Sequence, residues 1–396
     1  MSFWHDAHDQ LAVSNATAAA YTYTSGVLGS YRSPSATNPA SFRSVCISYG
    51  DCFARAMRMS EGCFFKLVDV LRPHLPVGGI SPELRVSMGL LYYGGGSYLD
   101  VAAVHRVSHS TLYNSVWDFT DAVSSAKNMD ITMPIDDPQW RARTAALFQK
   151  CGDSPLNNIL GAFDGIAIDQ EPPTARDVSC VADHMSRKGF FAINTQAMFD
   201  ANYEFTWVSC RNPGSVHDST AFAGSDFGAW ATAASDSLAR ELMDGGYCFV
   251  GDEVYAASEL VAVPWPGRGG LSQWRDAYNF YQSSARIHIE LAFGQVVQRM
   301  GVLWRPLRMS YDKRPVVIQT AFKLHNFCRR HDSTGMVHVT GPNDGPFDAR
   351  SLVRDNGAVA DASGSRRAWQ QSHLRERMTR EVEAAGRLRP PVHGML

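Results

Sequence analysis

The sequence predicts a mixed α/β protein with an all-α region on its N-terminal side. Two textures and one pattern of carboxylates carry that reading. Between residues 53 and 119, apolar side chains recur at spacings of three and four, the period of helices that bury one face. From about residue 155, apolar runs typical of strands alternate with helical stretches, the order of a mixed sheet covered by helices. Two of the runs end on an aspartate, Asp164 and Asp252, and a third carboxylate, Glu290, falls within a long helical stretch.

Bulk properties bound the answer. The 396 residues are 45% hydrophobic and 19% charged, ordinary for a globular protein, and suffice for two domains or one large one with appendages. A net charge of −2 excludes a uniformly basic nucleic-acid binder, so any such surface must come from local clustering. No apolar run approaches the ~18 residues of a membrane span, and the start lacks the basic and apolar regions of a secretory signal. The eight cysteines show no Cys-x-x-Cys spacing and read as free thiols, mostly buried as small apolar groups.

Four regions follow in order. Residues 1–40, rich in Ser, Ala, Thr and Tyr without a period, read as a poorly ordered arm. Residues 41–130 form a helical region. Phe53, Met57, Phe64, Leu67, Val68 and Leu71 share a face, and Ser60 with Glu61 opens a helix. Ser81-Pro82-Glu83 caps another, carrying Leu84, Met88 and Leu91. After Gly94–Gly96, a helix over 97–107 and a second from 109, capped by Ser108, have the rhythm of a helix-turn-helix; a plain αα-hairpin fits equally. The second helix carries no basic residue near its start, and only Arg106, His105 and His109 adjoin it.

Residues 131–331 hold the sheet. Asn158–Ile168 is the first expected strand, and Phe190–Phe199 and Tyr203–Cys210 form a hairpin about the turn Asp200-Ala-Asn202. Ser219–Trp230 and Ser235–Met243 read as helices, Tyr247–Gly251 as a short buried strand, and 259–275 as a Pro- and Gly-rich loop. Asp276–Met300 and Val316–Arg330 are further helices. Residues 332–396 read as a mobile polar tail; its charged stretch Arg366–Arg387 can form a helix but lacks a strong apolar face.

Carboxylates are the ligands a hard divalent cation prefers, and two such ions about 4 Å apart activate a water and stabilise a leaving oxygen in phosphodiester cleavage. Asp164 and Asp252, each at a strand end, are placed to meet if their strands are neighbours, and Glu290 reaches in from a helix. Arg286, one turn before Glu290, braces a carboxylate or touches a phosphate. Asp218, in Pro213-Gly-Ser-Val-His217-Asp218, is either a helix cap or a further ligand, with His217 beside it. Arg187 and Lys188 form a small basic turn. Between Ala285 and Arg330 a basic segment that includes Arg286, Arg299, Arg305 and Arg308, interleaved with Trp304 and Tyr311, reads as a phosphate-tracking surface or as solvated helix faces. No Walker loop, His-Glu-x-x-His or Gly-x-Ser-x-Gly motif is present.

Taken in order over roughly residues 50–330, these segments resemble the PIF/Harbinger family of DDE transposases, a group of DDE superfamily endonucleases, and their domesticated relatives. The resemblance rests on Arg58-Met59-Ser60, Gly95-Gly96-Ser97-Tyr98, Gly161-Ala-Phe-Asp164-Gly165, Arg187-Lys188, and Asn194-Thr-Gln196 with Asp200. It continues through Pro213-Gly214-Ser215-Val-His217-Asp218-Ser219, Gly251-Asp252-Glu-Val-Tyr255, Tyr278-Asn279, Arg286 with Glu290, Phe293 and Gly294, and Leu324-His325-Asn326-Phe327. It implies an RNase H-like mixed-sheet core with Asp164, Asp252 and Glu290 as catalytic triad and Asp218 as an additional ligand of two Mg²⁺ or Mn²⁺ ions. It further implies transposon-end DNA as substrate, cleavage with strand transfer, a Myb-like partner protein, a nuclear location and homo-oligomers. A domesticated DNA-binding or adaptor protein without catalysis is the alternative. Two departures stand out: Ile166-Ala-Ile168 replaces the family's Thr and His, and Glu253-Val254 replaces a small residue and Gly.

Overall fold

The computed structural model describes residues 41–151, 154–267, 270–332 and 372–390. The arm expected over 1–40 and most of the expected tail lie outside the described residues.

Serine hydroxyls open most of the N-terminal helices. Ser41 starts α1 (Phe42–Tyr49), and after the short α2 (Phe53–Met57), Ser60 starts α3 (Glu61–Leu71). Ser81, Ser97 and Ser108 start α4 (Pro82–Tyr93), α5 (Tyr98–His105) and α6 (His109–Ser125). Each cap has extended backbone and accepts an otherwise orphaned amide N–H from three residues on. Arg106, in the left-handed region at φ 52°, begins the three-residue turn between α5 and α6. His105 adds no charge there. It is fully buried between Ser87 Oγ and the Val101 carbonyl, each 2.8 Å away, and burial pushes its pKa down to about 4.

A helix that periodicity did not show, α7 (Pro138–Cys151), leads into the sheet. Its buried stripe is narrow, Trp140, Ala145 and Phe148 among polar neighbours. The strands are β1 (Ile159–Asp169), β2 (Ala192–Phe199), β3 (Phe205–Pro213), β4 (Cys248–Val250) and β5 (Val261–Ala262). Their order is β3-β2-β1-β4-β5, with β1, β2 and β3 antiparallel and β4 and β5 parallel to β1. The expected strands all form; β5 falls inside the stretch expected to be loop, because two residues carry no period. Helices α8 (Asp218–Ala223), α9 (Asp226–Ala233) and α10 (Ser237–Asp244) separate β3 from β4. The long α11 (Gln273–Arg299) and α12 (Arg314–His331) follow β5.

The sheet separates the core into two layers, by alternation along β2 and β4 and with a one-residue shift along β1 at the irregularity between Ile159 and Gly161. Leu160 and Phe163 of β1, Met198 of β2 and Phe249 of β4 pack on one face with α8–α10. Ile159, Ala162, Ala197, Phe199, Cys248 and Val250 pack on the other with α11 and α12, in a cluster that runs on into the N-terminal helices. The helical region is therefore joined to the sheet through a shared core. Arg299 of α11 reinforces the junction by donating to the Arg58 carbonyl (3.2 Å), while Arg58 donates to the Gly94 carbonyl (2.9 Å) within the helical region. On α12, Asn326 both accepts from Phe205 N–H (2.8 Å) and donates to Phe205 C=O (2.7 Å), so its amide stands in for a neighbouring strand.

The tail expectation needs correction over residues 372–390. A final helix, α13 (His373–Ala384), docks on α11 with Leu374, Met378 and Val382 buried. Trp265 Nε1 donates to Thr379 Oγ1 (2.9 Å), and the Arg375 guanidinium lies 4.4 Å from the Trp265 ring centre. The three apolar residues recur every fourth position, a stripe one residue wide that charged neighbours hide from any averaged measure of hydropathy. No helix among the described residues is long and apolar enough to cross a membrane.

Candidate active site

Register places the two aspartates. Ala162 of β1 pairs with Val250 of the parallel β4, so Asp164 and Asp252 both lie two residues beyond one matched pair. Glycines let the chain close up around them. A Cβ at Gly251 would overlap the Phe163 ring, and a Cβ at Gly165 would overlap Asp218 Oδ1 and Gln196 Nε2. The glycine after Asp164 is thus required by what packs on it, beyond any turn.

Helix α11 meets the strand ends through Gln282, which sequence reasoning missed. Fully buried, it donates from Nε2 to the Gly251 carbonyl (2.7 Å) and approaches the Ala262 carbonyl (3.3 Å). Arg286 and Glu290 lie four and eight positions further on, the same helix face. That spacing was the one signal that could have found Gln282. Arg286 reaches both aspartates: Nη2 is 3.5 Å from Asp164 Oδ2 and Nη1 is 3.5 Å from Asp252 Oδ1. Its side chain is only 13% exposed, and those of Asp164 and Asp252 are 22% and 34% exposed.

Asp218 does not cap its helix. His217 is the N-cap residue, and Asp218 occupies the first turn of α8. Its Oδ1 accepts from Asn194 Nδ2 (2.8 Å) and Gln196 Nε2 (2.9 Å), both on β2. Gln196 Oε1 in turn accepts from the buried Tyr255 hydroxyl (2.9 Å), a contact that neither motif revealed. Phe163 stacks on Phe222 at 4.4 Å and meets Tyr255 edge-on at 4.8 Å, an apolar floor under the carboxylates.

The electrostatics follow from that floor. Burial, and then the neighbouring Asp252 and Asp218 charges, push the Asp164 carboxyl up to about 6 against the opposing pull of Arg286. Burial and Asp252 also raise Glu290. Burial and the three aspartates hold Tyr255 protonated. Although burial works against the guanidinium, Asp252 and Asp164 raise Arg286 above its ordinary value. Glu253 is exposed; its backbone N–H, which any non-proline residue would supply, donates to Asp252 Oδ1, and its side chain faces solvent.

The donors are of the chemical type that a hard divalent cation prefers. Two carboxylates converge on one positive charge, Asp218 is close enough to help raise Asp164, and Asp252 is close enough to help raise Glu290. Among the described residues no group of three or more His, Cys, Asp or Glu is gathered closely enough to hold a metal ion, and Arg286 is the cation between Asp164 and Asp252.

The phosphate-tracking reading of the basic segment is corrected for Arg299. Arg299 is 8% exposed and spent on the Arg58 carbonyl, so it is no surface contact. Arg308 pairs with Glu171 (3.1 Å), Lys323 with Asp130 (2.8 Å) and Arg330 with Glu204 (2.6 Å). Arg314 donates to Gln170 Oε1 and the Glu171 carbonyl, Arg329 to the Asn202 carbonyl, and Lys313 lies 4.0 Å from the Trp117 ring centre. These cations fasten α12 and its approach to the hairpin and the helical region. Arg305 stays exposed without an ion pair among the described residues, as do Arg187 and Lys188 at the tip of a tight turn closed by Gly189. His217 is half-buried beside Ser219 Oγ (3.3 Å).

Comparison with curated proteins and with solved structures gives no significant match. Residues 163–326, a stretch that contains Asp164, Asp218, Asp252 and Glu290, match the family described as DDE superfamily endonuclease.

Proposed function

We propose that this chain is a divalent-metal-dependent DNA endonuclease of the transposase type. The observation that carries the proposal is the meeting of Asp164 and Asp252 at the ends of neighbouring parallel strands, on one cation from the helix that also bears Glu290. The strand order, three antiparallel strands and then two parallel to the first, supports an RNase H-like core. The α5–α6 pair is proposed as its helix-turn-helix region.

Asp164, Asp252 and Glu290 would hold Mg²⁺ or Mn²⁺, with Asp218 as a further ligand and two ions as the full complement. The bound cation would supply Lewis-acid activation of a water and charge neutralisation at the leaving oxygen. The chain's own residues prepare this. Asn194 and Gln196 fix the rotamer of Asp218, and Tyr255 fixes Gln196. Gln282 locks α11 to the strand ends and so sets where Glu290 stands. The aromatic floor keeps water from one side of the carboxylates, while the exposure of Asp252 leaves the other open to a polymeric substrate. Transposon-end DNA, strand transfer, a Myb-like partner, homo-oligomers and a nuclear location are the further content of this reading.

Purified protein is expected to nick DNA carrying transposon ends in Mg²⁺ or Mn²⁺ buffer. An Asp252→Asn protein purified in parallel is expected to lose that activity by at least about a hundredfold. Equal nicking by the two preparations would remove Asp252 from the site.

A further inference from the structure

Arg286 is held unlike Arg314, a buried arginine that fastens this fold, although a buried Nε without a hydrogen-bond partner is something it shares with Arg58, Arg85 and Arg141. Arg314 is the contrast. Its Nη1 lies 2.7 Å from Gln170 Oε1 and 2.8 Å from the Glu171 carbonyl, and its Nε is 3.1 Å from the Met309 carbonyl. Those are the distances of a fixed strut. Arg286 spans two separate carboxylates at 3.5 Å each, well beyond the ~2.8 Å of a charge-assisted hydrogen bond. Its Nε is buried without a hydrogen-bond partner. A guanidinium that makes no short bond, yet lies between two aspartates, is held mainly by charge, with one long hydrogen bond from Nη1 to Asp252 Oδ1 (3.5 Å). It has little directional bonding to lose on leaving.

We infer that Arg286 is a resident counter-cation that competes with the divalent ion for Asp164 and Asp252, and so sets the metal affinity of the site. The inference rests on the metal-dependent reading above. Asp164, Asp252, Asp218 and Glu290 would carry four negative charges when ionised, and Arg286 neutralises one. Without any cation the carboxylates would repel one another across an apolar floor. With a divalent ion seated between the aspartates, the guanidinium would face a like charge at contact distance. The two cations exclude each other, so metal entry requires Arg286 to swing away, and its return favours metal release. Arg286 is thus a positioning residue before loading and a tuning residue after it. Its place on the same helix as Glu290 couples that swing to the third carboxylate.

The test is Mn²⁺ binding by the full chain, read by calorimetry and by the metal-induced rise in Tm, for the wild type, R286Q, R286K and D252N. R286Q is expected to bind Mn²⁺ at least about tenfold more tightly than the wild type, and to show the larger Mn²⁺-induced Tm rise from a lower metal-free starting point. R286K keeps the charge and is expected to stay within about threefold of the wild type. Unchanged or weaker Mn²⁺ binding by R286Q, with D252N abolishing binding, would overturn the inference and leave the metal site standing. Wild-type binding by D252N would instead overturn the metal reading itself. Should R286Q be unfolded without metal, the inference requires Mn²⁺ to restore its folding; a variant still unfolded in saturating Mn²⁺ overturns it.

Discussion

Replacing Asp164 by asparagine removes one negative charge from the candidate site and keeps the side chain's shape. Asparagine Oδ1 can still accept from the Gly165 amide, which lies 2.8 Å from Asp164 Oδ1. What changes is the cost of the charge. Asp164 titrates at about 6 in the folded protein against an ordinary value of 3.8. At about 1.4 kcal/mol per unit, the ionised carboxylate destabilises the metal-free fold by roughly 3 kcal/mol at most. With 22% of its side-chain surface still open to water, screening lowers the figure to an expected 1–2 kcal/mol, an order-of-magnitude value. The sign follows from linkage. Between about pH 4 and 6 the folded state binds more protons than the unfolded one, so the penalty is absent below that window, grows across it and is complete above it. Asp164→Asn should therefore match the wild type near pH 4 and exceed its stability at pH 7, by about 1–2 kcal/mol. The assay is urea unfolding of both proteins in EDTA at several pH values. The difference between them is the useful quantity, because burial holds the pKa values of His105 and His325 down at about 4 and about 3, which makes the absolute stability of both proteins fall in acid. A variant less stable than the wild type at pH 7, or a difference that ignores pH, would refute the account of the site's charge.

Two further outcomes test the packing. Gly165→Ala drives a methyl group into Asp218 Oδ1 and Gln196 Nε2; nicking activity should fall at least about tenfold, with about 1–3 kcal/mol of destabilisation measurable by urea unfolding. Met378→Ala empties a fully buried site where Met378 Sδ lies 3.8 Å from Cys248 Sγ, and should cost about 2–4 kcal/mol. A loss below about 0.5 kcal/mol would show that α13 contributes little to the fold.

The local sequence specified much of this protein. Serine caps, the strands up to Asp164 and Asp252, and the hairpin about Asp200 were legible because each depends on neighbours within a few residues. The site was legible as a set of residues, through motif order. Its geometry was not. The pairing of β1 with β4 that sets Asp164 beside Asp252, the chain from Tyr255 through Gln196 to Asp218, and the Gln282 clasp join residues 22 to 88 positions apart. Two readings changed for the same reason. A basic residue looks alike in sequence whether it meets a phosphate or the Arg58 carbonyl, as Arg299 does. A charged stretch looks solvated until a partner such as α11 covers its one apolar stripe. The sequence by itself singled out the carboxylates of the candidate site and most of the helices and strands, since those patterns are local. Only the tertiary structure decided which charges face one another, because burial and separation, the quantities that govern charge interactions, exist only once the chain has closed on itself.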